Sequence, residues 1–251
     1  MAQAAPAVVP DTRTRLLDAA AACFAARGFH GTTIREIAER AGVNVAAGHY
    51  HVGSKRDLYL AVLRAQFAQV RATLDASAAT VRPDDLARLS RPQLHALLHR
   101  RTVAMLGLLL GPPPSLHGTL MQRELCDPSE ALPMIVAEFI RPLMDELEAV
   151  IGRLEPALDP ASVERCACSI VGQALFYRFA MPAVAAMWGA DAFGPGLAEL
   201  LGAHIAEFSL GGLARVGAAR AADRRAVGPR GSGPGARGSA RHSRLRRHRA
   251  R

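Results

Sequence analysis

Residues 32–55 read TTIREIAERAGVNVAAGHYHVGSK, and three helix-capping signals fall inside this stretch. Thr33 stands three residues before Glu36, the spacing of a capping box, in which each side chain satisfies the other residue's backbone N–H. Asn44 follows Ala41-Gly42-Val43 and suits the start of a second helix. Ser54 stands three before Asp57 and suits the start of a third. Gly42 lies where the chain must reverse, because glycine takes a positive φ without a Cβ clash. Ile34, Ile37 and Ala38 share one face, with Arg35, Glu36, Glu39 and Arg40 outside it. The pattern predicts two short helices about a tight turn and then a longer one. That is a helix-turn-helix, which lays its second helix in the DNA major groove.

Upstream, Leu16, Leu17, Ala20, Cys23 and Phe24 give the buried stripe of a helix over 12–27, ended by Gly28. Downstream, Leu58, Ala61, Val62, Ala65 and Phe67 predict burial on more than one side of a helix reaching about Ala78. Pro83 and Pro92 break the chain, and helices fit 93–109, 116–126, 130–154, 161–184 and 195–212, with a proline-rich loop at 111–114. No stretch alternates as a strand does, and no repeat is present. The expectation is all-α: an N-terminal three-helix head at 12–75, with 54–78 as the connecting helix, and a helical bundle at 76–212. Residues 1–11 and the Arg/Gly-rich 213–251 are expected to be disordered, being unable to bury a core.

The net charge is +9, but it is unevenly spread. Residues 215–251 carry 12 Arg and 1 Asp, residues 1–75 are +3, and residues 76–214 are −5. The basic balance therefore describes the tail. Two readings of that tail stay open: an arm that adds non-specific phosphate attraction, or an extension without a role. No apolar run approaches the roughly 18–20 residues a membrane helix needs, and no signal-peptide pattern opens the chain. A cytoplasmic protein without a membrane partner is expected. The four cysteines show no framework spacing and are expected to stay reduced.

Two helices are apolar on more than one side. On 161–184, Val163, Ala167, Ile170, Ala174 and Tyr177 or Arg178 form one apolar-leaning face, and Cys168, Val171, Leu175 and Phe179 another. On 195–212, Leu197, Leu200, Leu201, His204, Ile205 and Phe208 form a sustained stripe. Such helices are expected to be buried on two faces: the second face can meet a second copy of the chain, or both can be core within one chain.

The segments RTRLLDAAAACFAARGFHGTTIREIAERAGV (13–43) and YHVGSKRDLYLAVL (50–63) resemble the DNA-binding domain of the TetR family of bacterial transcriptional regulators. The words VNVAA, YH-x-GSK, REL-C-DPSEAL (123–132), FIRPL (139–143) and SIVGQALFYRFA (169–180) resemble its CecR-type branch. This resemblance implies a repressor that binds a palindromic double-stranded operator as a homodimer and is released by an unidentified small-molecule effector. It places the reading helix at about Asn44–His51, with Val45, Ala46 and Ala47 at its groove-facing start. These are small and apolar, suited to a thymine methyl rather than to bidentate hydrogen bonds. His49 is expected at a base edge or a phosphate, and Thr33, Tyr50, His51 and Lys55 at phosphates. Gly48 and Val52 depart from the family, which has a larger aliphatic residue and a Phe there. That departure keeps an alternative alive: a TetR-fold protein with weakened sequence-specific binding that acts through protein contacts.

The resemblance also implies an effector pocket in the bundle. Its polar candidates are Arg123, Gln173, Tyr177 and Arg178, and its candidate walls are Met105, Met121, Phe139, Met144 and Phe176. His95 and His99 have the i,i+4 spacing that can clip a metal, and His117 and Cys126 could complete such a site, but no third ligand is fixed by local spacing. No metal, no cofactor and no catalytic constellation is expected; the chain does not read as an enzyme.

Overall fold

The computed structural model describes residues 11–44, 53–111, 116–189 and 194–226. All regular structure among these residues is helical. The head contributes α1 (Thr12–Arg27), α2 (Ile34–Ala41) and α3 (Lys55–Ala76). The body contributes a short α4 (Pro83–Leu86), then α5 (Arg91–Leu110) and α6 (Leu116–Cys126). After these come α7 (Leu132–Ile135), a π-turn (Val136–Ile140), α8 (Arg141–Leu154) and α9 (Pro160–Phe179). The last elements are α10 (Met181–Trp188) and α11 (Leu197–Ala226).

Three boundaries differ from the sequence reading. The single helix expected over 130–154 is interrupted by the π-turn. Pro142 has no N–H and its ring clashes with a carbonyl four residues back, so an unbroken α ladder is disfavoured there. The helix expected over 161–184 stops at Phe179, and the chain bends by 72° into α10. Pro182, in the first turn of α10, has the same effect. The final helix runs to Ala226, not to about 212, so the tail expected to be disordered from 213 begins as ordered helix. The sequence reading overweighted the Gly and Arg there. Leu213 is buried in the body core, Arg220 pairs with Asp159 at 3.8 Å, and the alanines favour helix.

The head is not a separate core. Leu16, Phe24, Ile37, Leu58, Tyr59 and Val62 share one buried cluster with Leu120 of α6 and with Ala131 and Ile135 at α7. A second cluster fills the body, joining Leu97, Leu98 and Leu106 of α5, Ile151 of α8, Ile170 of α9 and Ile205 of α11. Phe67 of α3 and Phe139 of the π-turn stack in parallel, centroids 4.1 Å apart.

Among the described residues no single helix is long and apolar enough to cross a membrane.

Candidate nucleic-acid interface and its links to the body

Thr33 caps α2 as the sequence predicts. Its hydroxyl accepts from Glu36 N at 3.3 Å, and its own N–H donates to Glu36 Oε2 at 2.9 Å. Those hydrogen bonds hold the half-buried Glu36 carboxyl below the usual carboxylate range, the backbone donor of Thr33 contributing most. Gly42 ends α2 with φ 65° and ψ 36°, a left-handed conformation that favours glycine. Arg15 of α1 closes the turn, donating to the carbonyls of Ala41 at 2.5 Å and Gly42 at 2.9 Å. The turn is thereby fixed at both ends, and Asn44 leaves it exposed, at the point where the reading helix is expected. Val45, Ala46, Ala47, Gly48, His49, Tyr50, His51 and Val52 lie outside the described residues.

The chain returns at Ser54, which forms the second predicted capping box. Asp57 N donates to Ser54 Oγ at 3.1 Å, and Ser54 N donates to Asp57 Oδ2 at 3.0 Å. Lys55 opens α3. Its ammonium does not extend freely. It donates to Thr32 O at 3.0 Å and lies 4.4 Å from the centroid of the Phe29 ring. Lys55 and Thr33 are therefore brought to one rim, where the N-termini of α2 and α3 meet.

The effector-pocket candidates meet different partners. Arg123 reaches into the head instead: its Nε donates to Ala25 O at 2.6 Å and its Nη2 to Ala26 O, so it caps the C-terminus of α1. Gln173 bridges α9 to α11, donating to Ser209 Oγ at 3.2 Å. Phe176 is exposed, and Tyr177 is partly buried on the body core. Met105 and Met144 pack on the body core and Met121 on the head core. Phe139 lines a groove of about 280 Å³ between α3 and the π-turn, with Arg64, Phe67, Arg71 and Leu143. Arg178 donates to Thr119 Oγ1 of α6 at 2.8 Å. Arg123, Gln173 and Arg178 each bond across two helices, which spacing alone does not reveal.

His95 and His99 gain no third donor, and no group of three or more metal-ligating side chains occurs among the described residues. His117 instead pairs with the Leu108 carbonyl at 2.6 Å, and burial pushes its pKa down. The four cysteines are free thiols.

Sequence reasoning missed two features. One is the Arg15 clamp, since nothing local marks which arginine of a helix meets a carbonyl 26 residues on. The other is Tyr59 of α3, whose hydroxyl donates to the buried Glu124 of α6. Both lie within the segments that carry the family resemblance.

The described frame is a capped helix, a glycine turn and a second capped helix, joined by one apolar cluster to an all-α body. Residues 16–62 match the model of bacterial regulatory proteins of the tetR family, and residues 91–213 match that of the C-terminal domain of the HTH-type transcriptional dual regulator CecR. The chain belongs to the TetR family, with a CecR-type body. It is 31% identical to the dual regulator CecR of Shigella flexneri over 147 residues, covering 56% of this chain and 63% of that protein. It is 46% identical to the transcriptional activator FasR of Mycolicibacterium smegmatis over 54 residues, 22% of this chain and 25% of FasR. The chain thus spans less than two thirds of the length of these curated relatives. FadR from Bacillus halodurans has the same fold, with a TM-score of 0.57, 14% identity, and coverage of 82% of this chain and 97% of that one. FadR from Bacillus subtilis, solved in complex with stearoyl-CoA, gives 0.56 at 16% identity, covering 78% and 97%. The family is one of transcription regulators, not enzymes.

Proposed function

We propose that this protein is a cytoplasmic transcriptional repressor that binds a palindromic operator as a homodimer and is released by a small-molecule effector held in the body. The observation that carries the DNA-binding half is the rim where Thr33 and Lys55 meet at two capped helix N-termini. Thr33 and Lys55 hold phosphates there. Asn44, Val45, Ala46, Ala47, His49, Tyr50 and His51 form the surface that enters the groove and its phosphate edges.

The homodimer is supported by the surface of the last three helices. Among the described residues, Phe176 on α9, Met187 and Trp188 on α10, and Leu200, Phe208 and Val216 on α11 are exposed large apolar side chains. Leu200 is 67% and Phe208 66% exposed, on a face shared with His204, while Leu201 and Ile205 turn into the body core. A helix apolar on both sides but covered on one asks for a second surface. Two-fold pairing through this face would match a palindromic site.

Release follows if the effector prefers a body state in which the two heads no longer match two half-sites. The test is a footprint of the purified protein on its own upstream DNA, run beside sedimentation. A protected palindrome and a dimer are expected. A dimer that selects no sequence from a random DNA pool would favour action through protein contacts, with Gly48 and Val52 as its cause.

A further inference from the structure

We infer that Arg178 and Thr119 form a binding site for the carboxylate or phosphate group of a small organic anion, between α9 and α6. The inference rests on the reading that the body binds an effector, and it assigns that effector a negative charge.

Arg178 is the penultimate residue of α9, and its guanidinium is partly buried. Its Nη2 donates to Thr119 Oγ1 at 2.8 Å. Its Nε is closed off from solvent and meets no acceptor. Thr119 accepts that bond, so its own hydroxyl proton remains for a second oxygen. No acceptor for that proton is found among the described residues. Among the described residues, two donors therefore stand side by side without acceptors, one of them on a cation.

The charge is uncompensated as well. Burial alone pushes the Arg178 pKa down, with no carboxylate opposing it. The nearby ionisable side chain is His117, also on α6, whose pKa is lowered first by burial and further by Arg178 itself. Other buried guanidinium groups of this fold are treated differently. Arg101 has the Glu146 carboxylate at 3.0 Å and the Leu143 carbonyl at 2.7 Å. Arg123 has two backbone carbonyls. A desolvated charge is ordinarily paired, and a buried donor without a partner calls for a specific explanation. An anion with two oxygens supplies both missing acceptors at once: one oxygen takes the Arg178 Nε–H and the other the Thr119 O–H. Arginine's planar fork suits carboxylate and phosphate alike.

The site is also well placed to act. Thr119 stands one helical turn before Arg123, which grips α1, and five residues before Glu124, which accepts from Tyr59 of α3. An anion drawn between Arg178 and Thr119 bears on the helix that holds the head.

The test uses the full-length protein and four probes: octanoate, octyl phosphate, octanol and inorganic phosphate. Wild type is compared with Arg178→Gln and Thr119→Val by thermal shift, with circular dichroism confirming that each variant is folded. A saturable stabilisation by octanoate or octyl phosphate, absent with octanol and weakened at least tenfold in both variants, is expected. The two charged arms distinguish a carboxylate ligand from a phosphate ester, and a full response to inorganic phosphate alone identifies a free ion as the occupant. Equal stabilisation by octanol, no shift with any anion, or an undiminished response in Arg178→Gln would overturn the site. A second readout needs no ligand: Arg178→Leu should melt no lower than wild type, since it removes an uncompensated charge. A clear loss would mark Arg178 as an ordinary structural residue and overturn the inference. Operator affinity, measured separately, distinguishes this failure from that of the wider reading. Absence of any DNA binding refutes the repressor while leaving the anion shift intact.

Discussion

The Tyr59 hydroxyl donates to the Glu124 carboxylate, and both residues are only 2% exposed. The pair joins α3, which enters from the reading head, to α6 of the body across 65 residues of sequence. Ser129 N donates to the other carboxylate oxygen at 3.2 Å, so the group is held from two directions. Burial and the bond to Glu124 push the Tyr59 phenol far above its ordinary pKa, keeping it a donor.

Tyr59→Phe should therefore be costly although it is isosteric. It deletes one of the two donors that compensate a buried carboxylate, a loss of about 2 kcal/mol for a bond to a charged group. Urea unfolding would measure it. Tyr59→Phe combined with Glu124→Leu should recover part of the loss, because it removes the group left unpaired. Strict additivity of the two changes would show that the hydrogen bond contributes nothing.

Arg123 carries the second link, onto the carbonyls of Ala25 and Ala26. Arg123→Ala should destabilise by about 1–3 kcal/mol through the lost cap and its charge-assisted bonds. Arg123→Lys should restore little, because an ammonium lacks the planar fork that reaches two carbonyls. Hydrogen exchange at the C-terminal turn of α1 would show faster opening in both variants. Unchanged protection there would mean the head is held by its apolar cluster alone.

Lys55 has two roles to separate. Lys55→Ala removes the bond to Thr32 O and the contact with the Phe29 ring, so the head should lose about 1 kcal/mol. If Lys55 also meets a phosphate, the variant should bind all DNA sequences more weakly and lower the salt slope by roughly 1. A stability loss with an unchanged slope would make Lys55 purely structural.

The frame of this head was legible because its signals are local. Thr33–Glu36, Gly42 and Ser54–Asp57 are each decided within four residues, and the structure reproduces all three. The body was legible as helices but not as contacts. Arg123, Gln173 and Arg178 look alike in sequence, as polar residues on apolar helices. One caps α1, one bridges α9 to α11, and one keeps an unmet donor. What separates them is the partner across the fold, which no periodicity encodes. The length of α11 was misjudged for a related reason: Leu213 looks like an isolated apolar residue until the body core is there to receive it.

Acid should loosen the two capping boxes. Hydrogen bonds from Thr33 and Ser54 lower the pKa values of Glu36 and Asp57 in the folded head. A depressed carboxyl contributes stability that is present above its unfolded pKa, about 4, and is lost as pH falls through the folded value. Melting of the head should accordingly be insensitive to these groups between pH 5 and 8, on the order of those limits, and fall below about pH 4. The double variant Glu36→Gln, Asp57→Asn should melt lower at neutral pH and show a shallower acid loss. An acid profile identical to wild type would exclude the caps as its source.

Gly202 decides how closely α11 can approach α5. A Cβ built there would lie 2.6 Å from Val103 Cα and 2.8 Å from Val103 N, both backbone atoms that cannot turn aside. At the same point Thr102 Oγ1 donates to Gly202 O at 2.8 Å, a buried bond that needs the same short separation. Gly202→Ala must push the two helices apart, lengthening that bond and opening the Leu98–Leu201–Ile205 layer. Overpacking of this kind costs about 1–3 kcal/mol, against a helix-propensity gain of at most about 1 kcal/mol. The net effect should be destabilising. Gly211 on the same helix meets nothing within 4 Å of a built Cβ, so Gly211→Ala is the control and should raise stability by about 0.5–1 kcal/mol. Paired thermal melts of the two variants check the sign of each. If both alanines stabilised, close approach at Gly202 would not be what holds α5 against α11.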